Sequence, residues 1–311
     1  KFTESDLIIK NEAYKYTRIE KIIIPSQIEI IGSNCFPSTL KEVEFEEDSQ
    51  LRYINDYAFA ETKIESISIP KSVERIGNFC FINCTELKKI DFDDHSILSY
   101  IGDECFKGTM IDDFQIPQNI ESYDFSHTNV KTVTFSENSL FTLLNNFQSS
   151  TITHVNIPPS VSVIKNHAFA DCVNLTKVAI IDIQNSKLEL IDKDAFCNCS
   201  SLEEFEIPKS VKYFGINSFK NCSKYNAQIT IDNDDIIVCE NAFENSGITV
   251  FKSKCQKLSV NNLAFNNCIN LVQFSAEVEK SIKLGSFLFM NCKSLFDVKL
   301  NMNTEKAVFC E

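Results

Sequence analysis

Residues 69–92 read IPKSVERIGNFCFINCTELKKIDF, and nearly all of the 311-residue chain is a variation on them. The order is an Ile-Pro boundary, a Val-x-x-Ile-Gly turn, a small residue before Phe, Asn-Cys, and Leu-x-x-Ile-x-Phe. With Phe81 as origin, the frame returns at Phe36, Phe59, Phe106, Phe125, Phe147, Phe169, Phe196, Phe219, Phe243, Phe265 and Phe289. The steps run from 19 to 27 residues with a mean of 23. A fixed period in this range is the signature of a solenoid, whose coils bury their apolar faces against one another. The length therefore does not imply two globular domains, because a solenoid grows by adding coils.

Other positions of the frame hold as well. An apolar residue stands five before the Phe in every coil except at Thr142, and the residue just before the Phe is small in nine of the twelve. The third residue after the Phe is always Cys, Ser or Thr. Where it is Cys (84, 172, 199, 222, 268, 292), an apolar residue follows three later; after Ser or Thr the interval is usually two, so that loop is one residue shorter. The apolar load includes 26 Phe and no Trp, which suits a stacked column of one ring type.

The 13 cysteines fall mostly on the frame, six at the third position after the Phe and three just before it. They read as buried thiols acting as small apolar fillers. Equivalent cysteines of adjacent coils would stand about 4.8 Å apart with parallel side chains, leaving Cβ atoms beyond the disulfide range of about 3.8 Å. Cys197-Asn-Cys199 is not a C-x2-C pair and no His stands at ligand spacing, which argues against zinc. Reduced thiols are expected. The net charge of −13 disfavours nucleic acid and unassisted binding to anionic lipid. No run approaches the 18 apolar residues of a membrane span. The chain opens without Met or a signal-peptide core, as expected of a segment of a longer protein.

Three regions are expected: residues 1–18, which lack the frame apart from an apolar run at 7–9, as an N-terminal cap or partial repeat; 19–300 as a single-domain solenoid; and 301–311 as a C-terminal tail. The strands follow apolar-x-x-apolar-x-apolar, as in Leu40/Val43/Phe45, whose last two apolar residues share one face. Coils alternate between an Ile-Pro exit (Pro25, Pro70, Pro117, Pro158, Pro208) and an exit without Pro that is often acidic, such as FEEDSQL at 45–51. Pro is acceptable where pairing stops. The alternation fades after residue 250, and the coil at 120–125 lacks both the Gly and the small residue, so it should be irregular. Asp56 and Asp192, each shortly before Ala-Phe, suggest single helical turns capped by the acid.

The architecture resembles the leucine-rich repeats, specifically the BspA-type class of bacterial and protist surface proteins. The residues that carry the resemblance are IPKSVERIGNFCFINCTELKKI (69–90), IPPSVSVIKNHAFADCVNLTKV (157–178) and IPKSVKYFGINSFKNCSKY (207–225), and it covers about 19–300. It implies a leucine-rich-repeat solenoid: a right-handed superhelix of 12–13 coils with little helix and a parallel sheet on its concave side. It also implies cell-surface adhesion or binding of a host or matrix protein.

No catalytic constellation is present. His95, His127, His154 and His167 are scattered, and no G-x-S-x-G, P-loop, G-x-G-x-x-G or H-E-x-x-H occurs. His167 and Cys172 flank Phe169, but a surface His beside a core thiol is the simpler reading. No cofactor and no enzyme activity are expected. The candidate binding residues are the outward positions of the strands: Glu42, Glu44, Ser66, Ser68, Lys89, Asp91, Asp113, Gln115, Thr132, Thr134, His154, Asn156, Lys177, Glu204 and Glu206. Such a row is where solenoids bind protein partners, although a merely solvated face has the same composition. It lacks aromatics, which disfavours sugar stacking. The acidic turns at Glu47, Asp94, Glu137 and Asp182 recur too far apart to share one Ca2+, and residues 232–235 (DNDD) lack the EF-hand Gly. Charge repulsion among these turns favours a monomer. Sequons stand at Asn83, Asn174, Asn198 and Asn221, where the repeat itself supplies most of the Asn. Two functions compete: a surface adhesin, and an intracellular scaffold using the same face.

Overall fold

The computed structural model describes residues 7–136 and 139–302, and the chain divides into two compact units, 1–141 and 142–311. Glu137 and Cys310 lie outside the described residues. Each unit is a parallel-strand solenoid with almost no helix. A typical coil lays down two strands. The Leu-x-x-Ile-x-Phe stretch forms a front strand, and the residues ending five before the ring form a short back strand, which the sequence had suggested only as a turn.

In the first unit the back strands Ile8–Ile9, Ile30–Ile31, Tyr53–Ile54, Arg75–Ile76 and Tyr100–Ile101 make one continuous sheet. Its front strands pair in twos: Lys21–Ile24 with Glu42–Phe45, Ser66–Ile69 with Lys89–Phe92, and Asp113–Ile116 with Thr132–Phe135. In the second unit the front strands His154–Ile157, Lys177–Ile180 and Glu204–Phe205 pair in parallel. Front and back strands then fuse into Val250–Val260 and Gln273–Leu284. Alternating buried residues from Phe251 through Cys255 keep one face covered without an exit turn, and a register shift between Cys255 and Lys257 supplies the bend. This is where the Pro alternation fades.

The rings form the core. In the first unit Tyr14, Phe36, Phe59, Phe81, Phe106 and Phe125 stack in order at centroid distances of 5.9, 4.8, 5.3, 5.8 and 6.1 Å. In the second, Phe147, Phe169, Phe196, Phe219, Phe243, Phe265 and Phe289 follow at 5.0 to 5.8 Å. Tyr14 corrects the expectation that residues 1–18 lack the frame. Ile9 stands five before it, Ala13 just before it and Thr17 three after, and Thr17 Oγ1 donates to the Tyr14 carbonyl at 2.7 Å. Tyr for Phe hid the coil.

In most coils the ring is carried by a turn with two left-handed residues, one at each side. Tyr57 (φ 58°) and Glu61 (φ 61°) flank Phe59; Asn217 (φ 56°) and Asn221 (φ 63°) flank Phe219. This geometry turns alternate N–H groups in different directions. Tyr57, Phe59 and Glu61 donate to the next coil, to Asn78, Cys80 and Ile82, while Ala58, Ala60 and Thr62 close turns within their own. The expected helical turns are therefore absent. A residue with φ near +58° cannot continue a right-handed helix, and Asp56 instead accepts the Asn78 N–H of the next coil at 2.8 Å. The described residues contain one short 3-10 helix, Ile183–Asn185, which Asp182 does cap. The coil at Phe125 is irregular as expected: its back strand shrinks to a single bridge, Tyr100 to Ser122. Tyr123 turns inward, packing on Phe135 and Phe141 at 6.1 and 5.3 Å.

The same geometry explains the Cys, Ser or Thr at the third position. Cys84, Cys172, Cys199, Cys222, Cys268 and Cys292 each donate to the carbonyl of the preceding coil's ring residue at 2.9 to 3.1 Å. Thr62, Thr109 and Thr128, with shorter reach, donate to the ring carbonyl of their own coil at 2.8 Å. The twelve described cysteines are free. Burial pushes the Cys84 and Cys172 thiols up to about 11.

Three measurements test this core. Phe81→Ala should cost about 3–5 kcal/mol in urea unfolding; a loss under about 1 kcal/mol would remove the ring column as the organising core. Gly77→Ala should cost about 1–3 kcal/mol, because a Cβ there would stand 2.5 Å from the Asp56 backbone nitrogen. The thiols set an alkaline limit. Their folded values lie above the ordinary one, so the stability they contribute is complete below about pH 9 and falls as pH rises towards about 11. Cys84→Ser combined with Cys172→Ser should flatten the fall in urea midpoint between those limits.

Candidate functional site

Period-two alternation sends the inward residues of each front strand to the core and leaves the others facing solvent. In the first unit Glu42, Glu44, Ser66, Ser68, Lys89, Asp113 and Gln115 are exposed, and Asp91, Thr132 and Thr134 half-buried. In the second, His154, Lys177, Glu204 and Glu206 are exposed and Asn156 half-buried, with Glu206 just beyond the end of its strand. Register sets Lys21 opposite Glu42, Ser66 opposite Lys89, Ser68 opposite Asp91, Asp113 opposite Thr132 and Gln115 opposite Thr134. In the second unit His154 faces Lys177, and Lys177 faces Glu204.

Several of these neighbours are ion pairs. Lys21 Nζ donates to Glu44 at 2.6 Å and Glu42 at 3.0 Å, Lys177 to Glu204 at 2.6 Å, and Lys89 to Asp91 at 2.8 Å. The hydrogen bond from Lys21 holds the Glu44 carboxyl below the usual range, and that from Lys177 does the same for Glu204. Such half-exposed pairs contribute little to folding, so a partner can rearrange them at small cost.

The resemblance implied one parallel sheet on this face, and in the first unit the structure differs. Glu42–Phe45 has no ladder with Ser66–Ile69, nor Lys89–Phe92 with Asp113–Ile116. Equivalent residues are 24 apart across both gaps, against 21, 23 and 19 within the pairs. The acidic, Pro-less exits lie in these longer steps. Grooves of about 570 Å3 and about 390 Å3 occupy the two gaps. One wall of each gap loses cover: Phe45, Ile90 and Phe92 are half-buried, whereas Ile67 and Ile69 on the opposite wall of the first gap are 2% and 3% exposed and Phe114 and Ile116 on that of the second are 2% and 0%.

Other candidates are accounted for by the fold. Cys172 points into the core towards the Phe147 carbonyl, while His167 Nε2 faces Asp194 Oδ2 at 3.8 Å, so they do not form a pair. Glu47, Asp94 and Asp182 are exposed, and Asp234 accepts from Gln256 at 2.8 Å. Among the described residues, no group of three His, Cys, Asp or Glu is placed to hold a metal ion, and no helix is long and apolar enough to cross a membrane. Asn83 and Asn174 are exposed. Asn198 and Asn221 belong to an amide ladder missed in the sequence: Asn245 donates to Asn221, Asn221 to Asn198 and Asn198 to Asp171, at 3.1, 2.8 and 2.7 Å. The signal was there, since Asn or Asp recurs two after the ring and tolerates the left-handed conformation that position requires.

No curated protein matches the chain. Among solved structures it is similar to the pneumococcal vaccine antigen PcpA, at 19% identity over 98% of this chain and 84% of that one, with a TM-score of 0.49. A leucine-rich repeat protein from Bacteroides ovatus is 19% identical over 100% and 90%, with a TM-score of 0.48. A leucine-rich cell surface protein from Faecalibacterium prausnitzii is 18% identical over 96% and 83%, with a TM-score of 0.39. The family model of the BspA type leucine rich repeat region matches in six copies over residues 7–131, 100–226 and 223–308, and the chain belongs to that family.

Proposed function

We propose that the protein is a non-enzymatic, surface-exposed interaction module that binds a host or matrix protein through the outward row of its front strands. The observation that carries this reading is the row itself: polar and charged side chains in fixed register on strands anchored by a buried ring column. Solenoids use such a face for protein partners, and the family resemblance points to the cell surface. The half-exposed ion pairs supply exchangeable charge, and the strand register fixes its spacing. One feature favours a second reading, an intracellular scaffold. Twelve free cysteines, several buried side by side, suit a reducing compartment.

Antibody labelling of the source cells, intact and then permeabilised, separates the two. Labelling of intact cells is the expected outcome. Labelling that requires permeabilisation would overturn the surface assignment and move the partner search inside the cell.

A further inference from the structure

We propose that the gap between Lys89–Phe92 and Asp113–Ile116 receives an extended segment of a partner protein, bearing Lys or Arg, which docks as an added β-strand. This deepens the binding reading and rests on it for the nature of the ligand. Three observations in the first unit carry it.

The first is the main chain. The N–H of Thr132 donates to the Asp112 carbonyl, and Thr132 stands opposite Asp113. In a parallel pair, alternate residues turn their N–H and C=O to opposite sides. Asp113 and Gln115 therefore turn theirs away from Thr132–Phe135 and into the gap. On the other wall, Lys89–Phe92 is in the same register to Ser66–Ile69, which leaves Ile90 and Phe92 facing the gap. The contact flanking this opening is the hydrogen bond from Met110 N to the Leu87 carbonyl at 2.9 Å. Two strand edges thus confront each other without a ladder, and such edges are templates for another chain.

The second is the uncovered apolar wall. Ile90 and Phe92 are half-buried, and the Phe92 ring meets Phe114 at 5.7 Å in a tilted contact. An inserted strand would cover the exposed parts of Ile90 and Phe92, as Phe114 and Ile116 on the facing wall are already covered.

The third is charge. Asp91, Asp93, Asp94 and Asp113 line the groove against one basic residue, Lys89, which is already paired with Asp91. An inserted strand with cationic side chains at alternate positions would place them over these aspartates while its backbone completes the edge. The gap at Glu42–Phe45 is less one-sided, because Lys41 and Lys63 stand in it.

The test uses the full chain and a fluorescein-labelled twelve-residue peptide of alternating lysine and threonine, read by fluorescence anisotropy. A second peptide carries N-methyl groups on every other amide, which keeps the charge and removes strand hydrogen bonds on one edge. Saturable binding of the first, weakened at least about tenfold by N-methylation, is expected. Asp113→Lys and Gln115→Pro should each weaken it by about tenfold or more. Proline at 115 removes an N–H that no ladder uses, and unchanged circular dichroism would show the variant folded. Equal binding of both peptides, or none, would overturn the proposal. Loss of binding on Glu204→Lys but not on Gln115→Pro would also overturn it, while leaving the front face as a binding surface.

Discussion

The structure depends on the direction of five or six consecutive N–H groups around each ring. In most coils two left-handed residues, at the second position on either side of the Phe, make those groups alternate between the coil's own turn and the next coil. A non-Gly residue in that conformation costs roughly 1–2 kcal/mol. Most such residues, however, donate a hydrogen bond to the next coil, and leaving a buried N–H unpaired would cost a similar amount or more. The strain is therefore offset where it arises. Because the bond spans coils, a coil is complete only when its neighbour is present.

With the backbone satisfied in this way, the interior needs only shape. Successive rings sit 4.8 to 6.1 Å apart in the first unit, close to the spacing of hydrogen-bonded strands, so one ring type fills one layer. The thiols act as more than fillers. A ring carbonyl has a second lone pair, and at Phe59, Phe147, Phe169, Phe196, Phe243 and Phe265 the Cys of the next coil supplies a donor for it, while at Phe106 and Phe125 the Thr of the same coil does. The Cys sulfur reaches further than the hydroxyl oxygen of Ser or Thr and is less polar, which lets a weak donor sit in an apolar stack. The glycine of Ile-Gly has a different role. At Gly77 and Gly102 it admits the preceding coil's Asp56 and Asn78, whose side chains accept the N–H of the residue following each glycine.

Much of this was legible in the chain. Phe periodicity gave the coils, apolar spacing gave the front strands, and the missing Gly and small residue before Phe125 marked the irregular coil. What escaped has physical causes. Tyr14 has the same shape as Phe, but a search keyed to Phe passes over it. The left-handed turn resembles a capped helix in composition, because Asp and Asn favour both. The two-residue back strands are too short for a period to show. The gaps in the front sheet depend on step lengths of 24 against 21 or 23, a difference visible only once the register is known. The outward row was placed on the strand face by alternation alone, and sequence had no means of showing which of its members are paired with each other.

The contrast between the back and front of the first unit bears on recognition. The back strands form an unbroken ladder and the rings beneath them an unbroken stack, so the coil spacing there is fixed by many bonds. Within the unit the front strands pair in twos. A face without aromatic anchors cannot draw affinity from a few large buried rings. It can draw on main-chain edges, which are insensitive to side-chain identity, with charge deciding which segments approach. Specificity then comes from strand register, since a slip of one residue would bring a partner's basic side chains onto the apolar wall of Ile90 and Phe92 instead of the aspartates. The longer steps between pairs, which interrupt the sheet, are on this argument also what keeps those edges available to a partner.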